Sequence, residues 1–123
     1  MANEIRVSVG LECINANLKI PKMGSTTQIT QNVQGGPVPG MVTIGTSEED
    51  IPTTDIATLG WCYMKNLDVT NYIKYGPKSA GSMVEFGRLY PGEECVFRLA
   101  AGITIRAIAD TGACKCLIFV LNH

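Results

Sequence analysis

The 123-residue chain predicts an all-β fold, an antiparallel β-sandwich of jelly-roll or Ig-like type with an irregular polar N-terminal arm, on three observations. Apolar and polar residues alternate with period two over short runs. Gly, Pro, Asn and Asp punctuate those runs, and no stretch keeps the helical period. A sheet with one apolar face buries it against a second layer, so the strands read as two packed sheets in a single domain spanning residues 1–123.

Alternation starts at once. Ile5, Val7, Val9, Leu11 and Cys13 oppose Arg6, Ser8, Gly10 and Glu12, the pattern of a half-buried strand. Asn15 to Asn17 marks a turn, and a short second strand around Leu18 and Ile20 is expected to halt at Pro21. Residues 22–40 change character to Ser, Thr, Gln, Asn and Gly, ending in the Gly- and Pro-rich run Gly35 to Gly40. This is the predicted irregular loop or arm, whose middle, Thr26 to Gln34, could also be a polar strand exposed on both faces or an ordinary surface hairpin, with Gln28, Gln31, Asn32, Gln34 and Val38 as its candidate interface residues. Exposed polar β-branched segments of this kind suit pairing with a neighbouring subunit.

Met41 to Ile44 reads as a strand, followed by the acidic turn Glu48 to Asp50 and by Pro52, which stays out of a central ladder. Ala57 to Lys65 and Val69 to Tyr75 read as strands around a turn at Asn66 to Asp68, since Asn and Asp bond back to their own backbone. Gly76 to Ser82 reads as a loop. Met83 to Tyr90 reads as a strand without a clean amphipathic face. Pro91 and Gly92 signal a tight hairpin into Cys95 to Ala100. Ile103 to Ala109 and Ala113 to Leu121 close the domain around a turn at Asp110 to Gly112.

Composition narrows the function. Ten Lys and Arg stand against eleven Asp and Glu, a net charge of -1, so no basic field exists to hold nucleic acid or anionic lipid. Charged residues make up 17% of the chain, low for a globular domain, and charge depletion is typical of buried interface centres. That points to a homo-oligomer, a trimer among the options, or to a subunit of a larger assembly. The longest apolar run, Cys116 to Leu121, is too short to cross a membrane, and the first residues lack the pattern of a secretory signal.

Reactive constellations are not expected. The five cysteines are an odd set among apolar residues and read as reduced thiols. Cys114 and Cys116 read as small hydrophobes on one strand face rather than as half of a zinc site. The single histidine, His123, ends the chain. Carboxylates at Glu48 to Asp50 and at Glu93 and Glu94 fall in turns, and the Gly35, Gly36 and Gly40 cluster lacks the lysine and helix of a phosphate loop. No catalytic residue, cofactor or metal is therefore assigned. Among the aromatics, Trp61 and Tyr63 share one side of a strand and could form a carbohydrate platform, with Trp61 read first as filling the space between sheets. Tyr72 and Tyr75 are the aromatic candidates for exposed contact.

The segment Gly60 to Asp68, then Thr70 to Gly76, Leu89 to Glu93, Phe97 to Ala100 and Ala107 to Asp110, resembles small virion proteins of tailed bacteriophages. The resemblance covers about half of the chain and consists largely of turn chemistry. It implies a non-enzymatic structural β-sandwich, made in the host cytoplasm and carried in the virion. Such a protein is either a capsid decoration (cement) protein seated on the major capsid protein, or a tail-associated or receptor-binding module that binds carbohydrate. No site residues carry over from it.

Overall fold

The computed structural model describes residues 4–31, 38–53 and 56–122, with backbone only at 20–23 and 38. Among the described residues all regular structure is strand, paired antiparallel throughout. The chain forms two compact units, Met1–Asn32 and Val33–His123.

The first unit is a two-stranded ribbon of β1 (Ile5–Asn15) and β2 (Leu18–Ile29). Ile5 stands opposite Ile29 and Leu11 opposite Met23, after which the register shifts and Cys13 stands opposite Ile20. Pro21 and Lys22 therefore both oppose Glu12, a bulge on β2. Here the sequence expectation fails for a physical reason: a bulge on an edge strand has no ladder bond for proline to break, so Pro21 does not halt the strand. Lys22 to Ile29, placed in the irregular segment with a polar strand as one option from Thr26 on, is the second half of β2. The predicted arm is accordingly corrected to a hairpin over Ile5–Ile29, and Asn32 and Gln34 lie outside the described residues.

The second unit holds β3 (Val38–Ile44), β4 (Glu49–Asp50), β5 (Leu59–Asn66), β6 (Ile73–Ser79), β7 (Ser82–Met83), β8 (Gly87–Leu89), β9 (Glu94–Arg98), β10 (Ile105–Ala109) and β11 (Cys114–Asn122). One sheet runs β3-β11-β5-β9. The other runs β4-β10-β6, with β7 and β8 both pairing with β6. Setting aside the two-residue β7, each sheet has four strands, and the first and last strands of the unit are neighbours. This interleaved order is that of a jelly roll, which resolves the choice between jelly-roll and Ig-like sandwiches.

Facing residues of the two sheets build one core. Ile44, Cys62, Met64, Cys116, Ile118 and Val120 from the first sheet meet Ile73, Tyr75, Leu89, Ile105, Ala107 and Ala109 from the second. Each fully buried aliphatic side chain contributes about 1.5–3 kcal/mol. Strict alternation along β5 and β11 follows from this, since every second side chain must enter the core.

Four sequence expectations change here. Trp61 is flanked by the buried Gly60 and Cys62 and so faces away from the core; it does not fill the space between the sheets. Tyr75, expected as an exposed contact, is 8% exposed and stacks on Phe97 at 6.1 Å. The expected strand Met83 to Tyr90 is two short strands, β7 and β8, broken where Val84 and Phe86 are exposed. The expected loop after Tyr75 is instead β6 continuing to Ser79, closed by a two-residue turn with positive φ at Ala80 (53°) and Gly81 (85°).

Candidate assembly surfaces

The ribbon offers the first surface. Directly opposed residues of an antiparallel pair share a face, so Val7, Val9 and Leu11 of β1 share a face with Leu18 of β2, which opposes Asn15. Val7 is buried, but Val9 is 61%, Leu11 65% and Leu18 57% exposed. The other face is polar apart from the exposed Ile14, which opposes Lys19: Arg6 opposes Gln28, and the Ser8 and Thr26 hydroxyls hydrogen-bond at 2.9 Å. A lone two-stranded ribbon is marginally stable in water, and clustered exposed apolar residues mark contact sites. Alternation from Ile5 to Cys13 reads in the sequence as a half-buried strand, yet only Ile5 and Val7 are buried. Val9, Leu11 and Leu18 are the functional candidates that sequence reasoning missed, because period-two patterning reports an apolar face without saying what covers it.

Of the sequence candidates, Gln28 is exposed on the polar face of the ribbon. The Gln31 backbone N–H donates to the Glu4 carboxylate at 3.1 Å. Val38 opposes Val120 in β3, the edge strand of its sheet, and so is not part of the ribbon. Gln28 and Gln31 are thus brought into one unit, whereas Val38, Tyr72 and Tyr75 belong to the other.

The outer face of sheet β3-β11-β5-β9 is a second surface. Tyr63 opposes Phe119 and their rings stack at 5.9 Å with an interplanar angle of 22°. Met41, exposed, opposes Leu117, and Val96 opposes Tyr63. The Tyr63 hydroxyl donates to the Glu94 carboxylate, which, with a smaller share from burial, pushes the phenol up to about 12. The Trp61 indole N–H is buried without a hydrogen-bond partner among the described residues.

Tyr72 is half-buried at the end of the opposite sheet. Its ring lies 5.0 Å from that of Tyr90, with the Arg88 guanidinium 5.0 Å above it, a cation–π contact. Of the two tyrosines expected as exposed contacts, it is the one that retains partial exposure.

Several titratable groups serve the fold. Arg106 on β10 donates to Asp50 (2.7 Å), Glu48 (3.0 Å) and the Gly81 carbonyl (3.0 Å), while the Met83 backbone N–H donates to Glu48 at 2.8 Å. What the sequence presents as a solvated acidic turn is therefore a clamp from β4 to the β6–β7 hairpin. Its bonds hold the Glu48 and Asp50 carboxyls below their ordinary range, with the Met83 N–H leading for Glu48 and Arg106 for Asp50. Cys114 and Cys116 point into the core as small hydrophobes. Burial pushes the Cys62 and Cys116 thiols up to about 12, which keeps them neutral and poorly nucleophilic at physiological pH. Among the described residues no three His, Cys, Asp or Glu side chains gather as a metal site. His123 lies outside the described residues. A shallow depression of about 280 Å³ between Thr58, Leu59, Ala101 and Ile103 carries no titratable side chain among its described lining residues.

No family model, curated protein or solved structure matches the chain.

Proposed function

We propose that this chain is a non-enzymatic structural subunit of a virus particle, a capsid decoration protein that binds the major capsid protein and stabilises the head. The observation that carries the reading is the ribbon, two strands with Val9, Leu11 and Leu18 exposed on one face. Burial of those side chains against a shell is worth about 25 cal/mol per Å² of apolar surface, and many weakly held copies act together through avidity. The jelly-roll order, common among capsid and lectin domains, the low charge and the resemblance to small virion proteins of tailed phages support the same reading. Fold alone does not decide it.

The test is to mix the purified chain with empty shells assembled from the major capsid protein encoded alongside it. Co-sedimentation and a higher shell melting temperature are expected. A chain that stays in the supernatant contradicts the proposal.

A second reading is a carbohydrate-binding, tail-associated module. The stacked Tyr63 and Phe119 on this outer face favour it, because sugars dock on aromatic faces. Trp61 is the single tryptophan, so its fluorescence reports directly on this face. A saturable shift on titration with host surface glycans supports this reading, and a flat signal removes it.

A further inference from the structure

We infer that two copies of the chain join edge to edge through β1, antiparallel about a two-fold axis at Val9. The inference deepens the assembly reading and rests on it.

Each strand of the ribbon has one edge without a strand partner among the described residues. The two edges are unequal. β2 carries Lys19 and Lys22, Pro21 with no N–H to donate, and the bulge opposite Glu12. These are the devices that blunt an edge against pairing, and with no acidic residue β2 offers a copy of itself no charge complement. β1 has no proline and is unbroken from Ile5 to Asn15. It is the open edge, and its occupant must complement what it displays.

The charges on β1 fix the register. Arg6 and Glu12 are both exposed on the polar face. They lie on the order of 20 Å apart along an extended strand, too far to meet within one copy. In an antiparallel pair centred on Val9, Arg6 of each copy falls opposite Glu12 of the other. Val7 falls opposite Leu11, Ser8 opposite Gly10 and Ile5 opposite Cys13. Other symmetric registers do worse. Centring on Ser8 sets Glu4 against Glu12, centring on Arg6 or Glu12 sets that residue against itself, and centring on Val7 or Gly10 leaves Arg6 and Glu12 without partners. Like charges directly opposed destabilise a pair and opposite charges support it.

The Val9 register also keeps Val7, Val9 and Leu11 of both copies on one face. The product is a four-stranded sheet, β2-β1-β1-β2, with an apolar stripe along its two central strands. Two strands alone are marginal, and four with an apolar face are enough for an independent layer.

Sedimentation of the full chain tests this, with Arg6→Glu, Glu12→Arg and the charge-swapped double variant beside it. All four positions of charge are solvent-exposed, so the variants fold. The wild type is expected at the mass of two chains. Each single variant should associate about tenfold more weakly or worse, and the double variant should recover. A Val9→Cys variant in a Cys13→Ser background should cross-link on mild oxidation. A monomeric wild type, single variants that associate as the wild type does, or a double variant no better than the singles overturns the pairing. A chain that binds shells as a monomer defeats the pairing alone, and a paired chain that ignores shells defeats the decoration reading alone.

Discussion

The buried side-chain amide of Asn66, at the end of β5, donates to the Leu89 carbonyl of β8 at 2.9 Å and so ties the two sheets of the sandwich together. The same amide donates to the Asn71 carbonyl at 2.9 Å, and the Asn66 side-chain Oδ1 accepts the Asp68 N–H. Asp68 in turn accepts the N–H groups of Thr70 and Asn71. The Asn66 to Asn71 segment is thus a structural knot.

Asn66→Ala should lower stability by about 2–4 kcal/mol, because it strands two carbonyls inside the fold. Denaturant titration of the midpoint checks this. Asn66→Asp should cost nearly as much, since a carboxylate cannot donate to either carbonyl.

Gly76→Ala should destabilise by about 3 kcal/mol or more. A Cβ at Gly76 would lie 1.8 Å from the Val84 carbonyl oxygen, and that backbone is pinned by the Val84 N–H to the Pro77 carbonyl. Thermal unfolding of the variant measures the loss.

Ala80→Gly should stabilise the chain by about 0.5–1 kcal/mol. Ala80 sits at φ 53°, a left-handed conformation that costs an alanine more than a glycine, although glycine returns some unfolded-state entropy. A higher melting temperature is the expected result, and Ala80→Asn should move the same way.

Acid should destabilise the fold. The Glu48, Asp50 and Asp68 carboxyls titrate lower folded than unfolded, so their contribution is present above the ordinary carboxylate range and is lost as pH falls below about 4. Arg106→Gln should flatten part of that limb. The Asp68 share should persist, because backbone N–H groups of Asn71 and Thr70 supply it. At the alkaline end the sign reverses. Tyr63 and Tyr75 are raised to about 12, the first chiefly by its bond to Glu94 and the second by burial. Their contribution holds below the ordinary phenol range and is lost as pH climbs toward 12. Melting temperature against pH reads both limbs.

The sandwich was legible because alternation along Leu59 to Asn66 and Cys114 to Asn122 is enforced at every second residue by the core. Orientation was less legible. Period two identifies which residues share a face but not which face is inward, and in β5 it is Cys62 and Met64, not Trp61 and Tyr63, that enter the core. Tyr72 and Tyr75 were read as equals, yet a spacing of three in extended chain sends them to opposite faces. The course of β2 past Pro21 was illegible, since a bulge that shelters a proline is a property of the pair and not of one strand. The candidate surface was missed for a related reason, because exposed and buried apolar alternation look alike until the partner sheet is known.

Amide hydrogen exchange of the full chain, with and without the capsid shells, tests the central claim most directly. If the ribbon is the element of assembly, protection should rise across Ile5–Ile29 on mixing, with the core strands β5 and β11 unchanged. Shell-induced protection confined to the sandwich, with the ribbon amides exchanging as in the free chain, would contradict it.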